Sequence, residues 1–203
     1  MKKDLTLLIA HPDDEIIFMW PFINRVQKII CASSDAKNPA RAWCKRRGEC
    51  LTEVGKLLGC EVSIHHNDSE FYRAETRPMP HLKNIAGALL ADLDGSDIVA
   101  THNAWGEYGH LDHLLCHQVA RTHQARTGGD LMVTDIAQEI NWLPVTAWKN
   151  GHVLWKDVPG CAPRDMVFHL DMDLYDRIKG IYDAKGCWTW SFEPQKECRV
   201  YSL

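Results

Sequence analysis

The chain has 203 residues, 45% of them hydrophobic, and a formal net charge of −4 from 23 basic and 27 acidic side chains. That length suits one domain with a sizeable core, read here as a single domain over residues 1–203. The mild acidity, with no basic tract, excludes the electrostatic footprint of a nucleic-acid or anionic-membrane binder and points to a small-molecule partner.

The first residues, MKKDLTLLIAHPDDE, hold two lysines and a short apolar run before the acids begin. That run is too short for a signal peptide or a membrane span, so a cytoplasmic location is expected. The eight cysteines are scattered without Cys-x-x-Cys spacing and read as reduced, small core residues.

Leu5 to Ala10 reads as a buried strand, and HPDDE follows it directly. Gln27 to Ala32 is a second strand; Arg41 to Leu58 has helical spacing, with Gly59 as its C-cap. Glu61 to His65 is a third strand, followed by a polar loop that carries Arg73 and Arg77. A helix is expected over His81 to Leu93 and a fourth strand over Asp97 to Thr101, with HNAWGEYGHLDH after it. His110 to Gln124 reads as a helix and Asp130 to Thr134 as a fifth strand. Residues 139 to 165 suggest short strands and loops, and residues 172 to 184 a last helix. This alternation predicts an α/β fold, a Rossmann-like and mostly parallel sheet with helices on both faces. Such sheets bind ligands at the carboxyl ends of their strands, near the point where strand order reverses, so the two polar loops should meet there.

Carboxylates crowded at the edge of a core stay ionised when a cation neutralises them. His11 and Asp14 can point at one centre, and His110 and His113, three apart, share one face of a helical turn. A His/Asp/His set suits zinc in a catalytic site, where three protein ligands leave one position open for water. Ferrous iron is an alternative, since affinity order and availability also decide the metal. Taken alone, HPDDE also reads as a plain helix start, with Pro12 in the first turn and acids on the dipole. The coincidence of two motifs, each after an expected strand, favours the metal site.

AHPDDE followed about a hundred residues later by WGEYGHLDH resembles the LmbE-like, or PIG-L, family of zinc-dependent N-deacetylases. Arg46, Arg47 and Glu49 in KRRGEC, and Leu58-Gly59, extend the resemblance over roughly the first 120 residues. It implies a hydrolase that removes an acyl group from an N-acetylglucosamine-type sugar or conjugate. It also implies His11, Asp14 and His113 as zinc ligands and Asp13 as general base. His110 would steady the oxyanion or supply a proton, Tyr108 would assist, and Asp112 would orient the histidine.

Three features depart from the family pattern. IIFMWPFI follows DDE where glycines are usual, Leu111 replaces a proline, and GCWTWSFEP stands where many members carry serine-glutamine. Trp105, Trp188 and Trp190 are candidate sugar-stacking residues, and Arg73 and Arg77 candidate substrate contacts. His102 and His117 flank the second motif, but a lone histidine is more often a hydrogen-bonded residue than a ligand, and neither is assigned a role. An amidase on the same site and a non-catalytic carbohydrate-binding protein are the competing readings.

Overall fold

The computed structural model describes residues 4–34, 46–67, 79–136, 162–188, 190–191 and 193–203. The chain runs through β1 (Leu5–Ile9), α1 (Asp14–Ile17), a 3-10 helix (Trp20–Arg25), β2 (Val26–Ser33), α2 (Arg47–Leu58) and β3 (Glu61–Asn67). It continues through α3 (Met79–Asp92), β4 (Ile98–Thr101), α4 (Gly106–Gly109), α5 (Leu111–Thr127) and β5 (Asp130–Thr134). After residue 161 come β6 (Ala162–His169), α6 (Met172–Ala184) and β7 (Glu197–Ser202).

All seven strands join one sheet in the order β3-β2-β1-β4-β5-β7-β6. The pairs β3-β2, β2-β1, β1-β4 and β4-β5 are parallel, while β7 runs antiparallel to both β5 and β6. The expected α/β fold is therefore present, with an antiparallel edge that the sequence reading did not foresee. Glu197–Ser202 alternates exposed and buried residues over its first four positions, but neither of its partners, β5 and β6, is joined to it by a short turn, so its pairing is a tertiary matter.

β1 is the hinge of the architecture. Its five residues are all buried, as a strand covered on both faces requires. Side-chain alternation then splits the core in two. Leu5, Leu7 and Ile9 join Ile29, Cys31, Cys50, Leu51, Ile178 and Tyr182 on the face covered by α1, α2 and α6. Leu8 and Ala10 join Ile30, Ala32, Leu89, Val119 and Ala120 under α3 and α5. From β1 the chain steps outward through β2 and β3, then returns to place β4 on the opposite side. The strand order therefore reverses between β1 and β4, the place at which sheets of this kind bind ligands, at the carboxyl ends of the strands.

Helix boundaries follow local chemistry. α2 ends at Gly59, whose φ of 63° is the left-handed cap expected from the sequence. His110 caps α5 rather than starting it, because its Nδ1 accepts the Asp112 N–H. At Gly55, α2 meets β3 so closely that an added Cβ would overlap Val62 Cγ2 and lie 3.3 Å from the Cys60 carbonyl oxygen. Gly55→Ala is therefore expected to destabilise the fold by about 1–3 kcal/mol, read as a lowered urea midpoint; an unchanged midpoint would show that Val62 moves aside freely.

Cys31, Cys50, Cys60, Cys116, Cys187 and Cys198 are free thiols, in keeping with the expected reduced cysteines. No helix among the described residues is long and apolar enough to cross a membrane.

Candidate metal centre

The carboxyl ends of β1 and β4 bring the two motifs together. His11, Asp13 and Asp14 arrive on the turn after β1; His110, Asp112 and His113 arrive at the start of α5. All but the half-buried His110 are at least nine-tenths buried. Only paired or metal-bound polar groups tolerate such burial.

The helix-start reading of HPDDE does not account for these side chains. Asp13 occupies the N-cap position of α1, yet its carboxylate makes no capping hydrogen bond. Its backbone is left-handed, φ 96°, an unusual state for a residue with a Cβ. The side chain instead meets Arg47 of α2, with Asp13 Oδ1 2.6 Å from Nη2, and Arg47 also donates to the Pro12 carbonyl. Glu15 accepts from the Asp13 N–H at 2.9 Å and from the Tyr182 hydroxyl of α6 at 2.8 Å. Burial, reinforced by the charge of Asp13, pushes the Glu15 carboxyl up to about 8.

Asp14 Oδ2 is the centre of the cluster. It lies 3.5 Å from His11 Nδ1 and 3.6 Å from His113 Nε2, and it accepts the His11 N–H at 2.7 Å. Burial opposes its charge, but His113 and His102 overcome that and hold the carboxyl well below the usual range. His11 Nε2 lies 2.9 Å from Asp112 Oδ2. Burial disfavours its imidazolium, yet hydrogen bonds and charges from Asp112 and Asp14 prevail and raise it to about 10.

The expected set His11, Asp14 and His113 is divided between two candidate ligand groups. With His11 Nε2 given to Asp112, Nδ1 of that ring remains toward Asp14. His113 Nδ1 faces Glu107 Oε2 at 2.7 Å, and its buried Nε2 has no hydrogen-bond partner among the described residues. A tetrahedral ion with bonds of about 2.0–2.1 Å needs ligand atoms about 3.3 Å apart, close to the separations around Asp14 Oδ2. Two overlapping ligand groups, His11/His110/His113 and Asp14/His102/His113, fall within 4.8 Å, and both contain His113. His102 is the less available member, because its Nε2 accepts the Ala10 N–H at 3.0 Å.

His110 lies edge-on to His11 and stacked on His113, with ring centroids 4.7 and 4.8 Å apart. Burial and the neighbouring His11 and His113 push its imidazolium down, favouring the neutral ring. Because Nδ1 accepts from Asp112 N–H, the ring proton is assigned to Nε2. Asp112 Oδ2 is 4.0 Å from His110 Nδ1, so the carboxylate touches His11 more closely than it touches His110. Tyr108 stands 5.6 Å from His110 between ring centroids; burial, with the charges of Asp14 and Asp13, raises its hydroxyl, which keeps its proton.

The candidate substrate residues separate. Trp105 packs against Val133 and Tyr201, and Trp188 against Tyr175 and Tyr182. Trp190 lies 5.4 Å from Phe18 and 5.9 Å from Tyr108, so its ring forms part of the aromatic wall beside the histidines. Arg73 and Arg77 lie outside the described residues.

Two residues without a sequence-assigned role belong to the cluster. His102 stacks on His113 at 3.8 Å, and Glu107 holds both rings. The available signal was positional: His102 follows the fourth strand as His11 follows the first. Glu107 φ is 55°, and Gly106 before it has φ 63° with His113 Cβ 3.3 Å from where its own Cβ would stand. A tight, partly left-handed loop thus turns Glu107 inward.

Residues 6–123 match the PIG-L family, described as GlcNAc-PI de-N-acetylase. An uncharacterised protein of Acanthamoeba polyphaga mimivirus is 31% identical over 123 residues, covering 55% of this chain and 54% of its own length. The chain thus spans about half the length of that curated relative. Among solved structures, the A40926 pseudoaglycone deacetylase aligns with TM-score 0.63 at 12% identity, over 100% of this chain and 98% of its own. A deacetylase of the teicoplanin biosynthesis pathway aligns with TM-score 0.61 at 12% identity, over 97% of each chain. A conserved protein from Thermus thermophilus aligns with TM-score 0.53 at 14% identity, over 89% of this chain and 78% of its own. At these identities the structural likeness is one of fold.

Proposed function

The chain belongs to the PIG-L family, and from that premise we propose that it is a metal-dependent hydrolase that removes the N-acyl group from an N-acetylglucosamine-type amino sugar or its conjugate. The observation that carries this reading is the buried Nε2 of His113, without a hydrogen-bond partner among the described residues, 3.6 Å from an Asp14 Oδ2 that is itself 3.5 Å from His11 Nδ1, residue types that hold zinc or ferrous iron. The family match and the deacetylase names of the structural relatives support the substrate class.

His11, Asp14 and His113 would hold the ion. The chemistry it supplies when bound is polarisation of an amide carbonyl and acidification of water to a pKa of about 7. Asp13, fixed by Arg47, takes a proton from the attacking water as its oxygen joins the carbonyl carbon. The same carboxyl then delivers that proton to nitrogen as the C–N bond breaks, so the amine leaves neutral. His110 offers Nε2–H, and Tyr108 its hydroxyl, to the oxyanion, a contribution of about 2.7–4 kcal/mol for a well-placed donor. Asp112 orients His11 through its Nε2. Trp190, in the aromatic wall, offers a face against which a pyranose ring can pack.

The test is release of primary amine from a panel of N-acetylglucosamine compounds: free sugar, glycosides, nucleotide-linked and lipid-linked forms. Metal-loaded protein should release amine from at least one, and chelation should abolish it. Full metal loading with no amine from any member would move the chain to the carbohydrate-binding reading.

A further inference from the structure

We propose that Glu107 is the positioning residue of the cluster: a single carboxylate oxygen that sets the tautomer and orientation of His113 and His102 together. Its Oε2 lies 2.7 Å from His113 Nδ1 and 2.9 Å from His102 Nδ1, while Oε1 accepts the Asn103 N–H at 3.0 Å. A carboxylate only accepts, so both rings present N–H at Nδ1; the Ala10 N–H then requires the His102 lone pair on Nε2, and a neutral His113 carries its own on Nε2 as well.

The two lone pairs then have different uses. That of His102 receives the Ala10 N–H and pins the end of β1 to the end of β4. That of His113, with no other partner among the described residues, faces Asp14 Oδ2 and is the one left for an ion. The rings stack at 3.8 Å with planes 23° apart, so orienting one restrains the other. A carboxylate hydrogen-bonded to a ligating histidine raises ligand basicity and fixes the ring. Here one carboxylate does this for a ligand and for the strut beside it.

Glu107 is itself over-determined. It is fully buried, its N–H donates to Asn103 Oδ1 at 3.0 Å, and Asn103 Nδ2 donates to the Ile136 carbonyl at 2.8 Å. Each of its oxygens already faces a donor, Oε1 the Asn103 N–H and Oε2 the two Nδ1 atoms, so the carboxyl is held as an acceptor. Glutamine has the same shape and cannot replace it. Whichever way its amide points, an NH2 group meets either the Asn103 N–H or the two Nδ1–H groups, unless a ring changes tautomer.

The inference rests on the metal-site reading for its affinity consequence and stands without it for the tautomers. The experiment uses the full chain, stripped of metal, wild type and Glu107→Gln, with long-range nitrogen–proton NMR of the histidine rings and zinc titration. Wild-type His113 and His102 should both show protonated Nδ1. Glu107→Gln should shift at least one ring to Nε2–H and weaken zinc binding about 10–100-fold while retaining a cooperative melt. Protonated Nε2 on wild-type His113, or zinc affinity in the folded variant within about twofold of wild type, would overturn it. If the variant does not fold, the wild-type tautomers decide alone. Wild-type protein that binds no zinc sinks the hydrolase reading, and Nδ1–H signals on both rings in that sample still support the positioning role.

Discussion

Asp13→Asn is expected to lower kcat by about 10²–10⁴-fold, the range attributed to a positioned general base, while zinc stoichiometry stays at its wild-type value. The asparagine keeps the volume of the side chain and an oxygen for Arg47, whose Nη2 sits 2.6 Å from Asp13 Oδ1. It also keeps a hydrogen-bond acceptor opposite the buried guanidinium, which alanine would remove. What it removes is the ability to take a proton. Activity and metal content measured on one preparation separate the two roles of neighbouring acids: Asp13 affects rate, Asp14 binding. Wild-type kcat in Asp13→Asn would show that another group is the base.

His113→Ala should lose both the ion and the activity. This ring belongs to both candidate ligand groups, and its Nε2 is the one buried histidine nitrogen without a hydrogen bond among the described residues. Equilibrium dialysis against zinc should find binding at the site lost, and amine release should fall to the chelated background. The substitution also strips Glu107 of one donor in the interior, so circular dichroism must first show a folded protein. A folded variant that keeps a full equivalent of zinc would mean that His113 is not a ligand, and the site would need redrawing around His11 and Asp14.

Much of the site was legible because its signals are local. HPDDE and HLDH are short, and each follows a hydrophobic run whose strand length the sequence shows plainly. Strand-helix alternation then places both at one end of a parallel sheet, since right-handed crossovers bring every parallel strand out in the same direction. The last helix, residues 172–184, is recovered at its expected bounds because its apolar residues recur at helical spacing. β7 is the counterexample: six residues of mixed character form a strand only because β5 and β6 are there to pair with.

The division between residues that make chemistry and residues that hold them was less legible. His102 sits in sequence like a bystander, yet its ring stacks on His113 and receives the Ala10 N–H. Asp112, one residue from His113 in the chain, turns to His11 of the other motif. Tyr182, 167 positions beyond Glu15, closes over its carboxyl. Trp105 and Trp188, attractive as sugar platforms, pack against protein side chains, while Trp190 stands by the histidines. Burial and ring orientation, which decide each of these, are properties of packed elements.

By itself, then, the sequence determined the α/β class, the meeting of two motifs at the strand ends, and the His/Asp character of the donor set they bring. Those follow from hydrophobic period and residue type, which are local and survive without knowledge of neighbours. Only the tertiary structure decided which nitrogen of each histidine faces Asp14, which carboxylates touch which rings, and which aromatic rings stand beside the histidines. A tautomer or a buried ion pair depends on partners that folding alone brings within about 3 Å, from strands and helices a hundred residues apart.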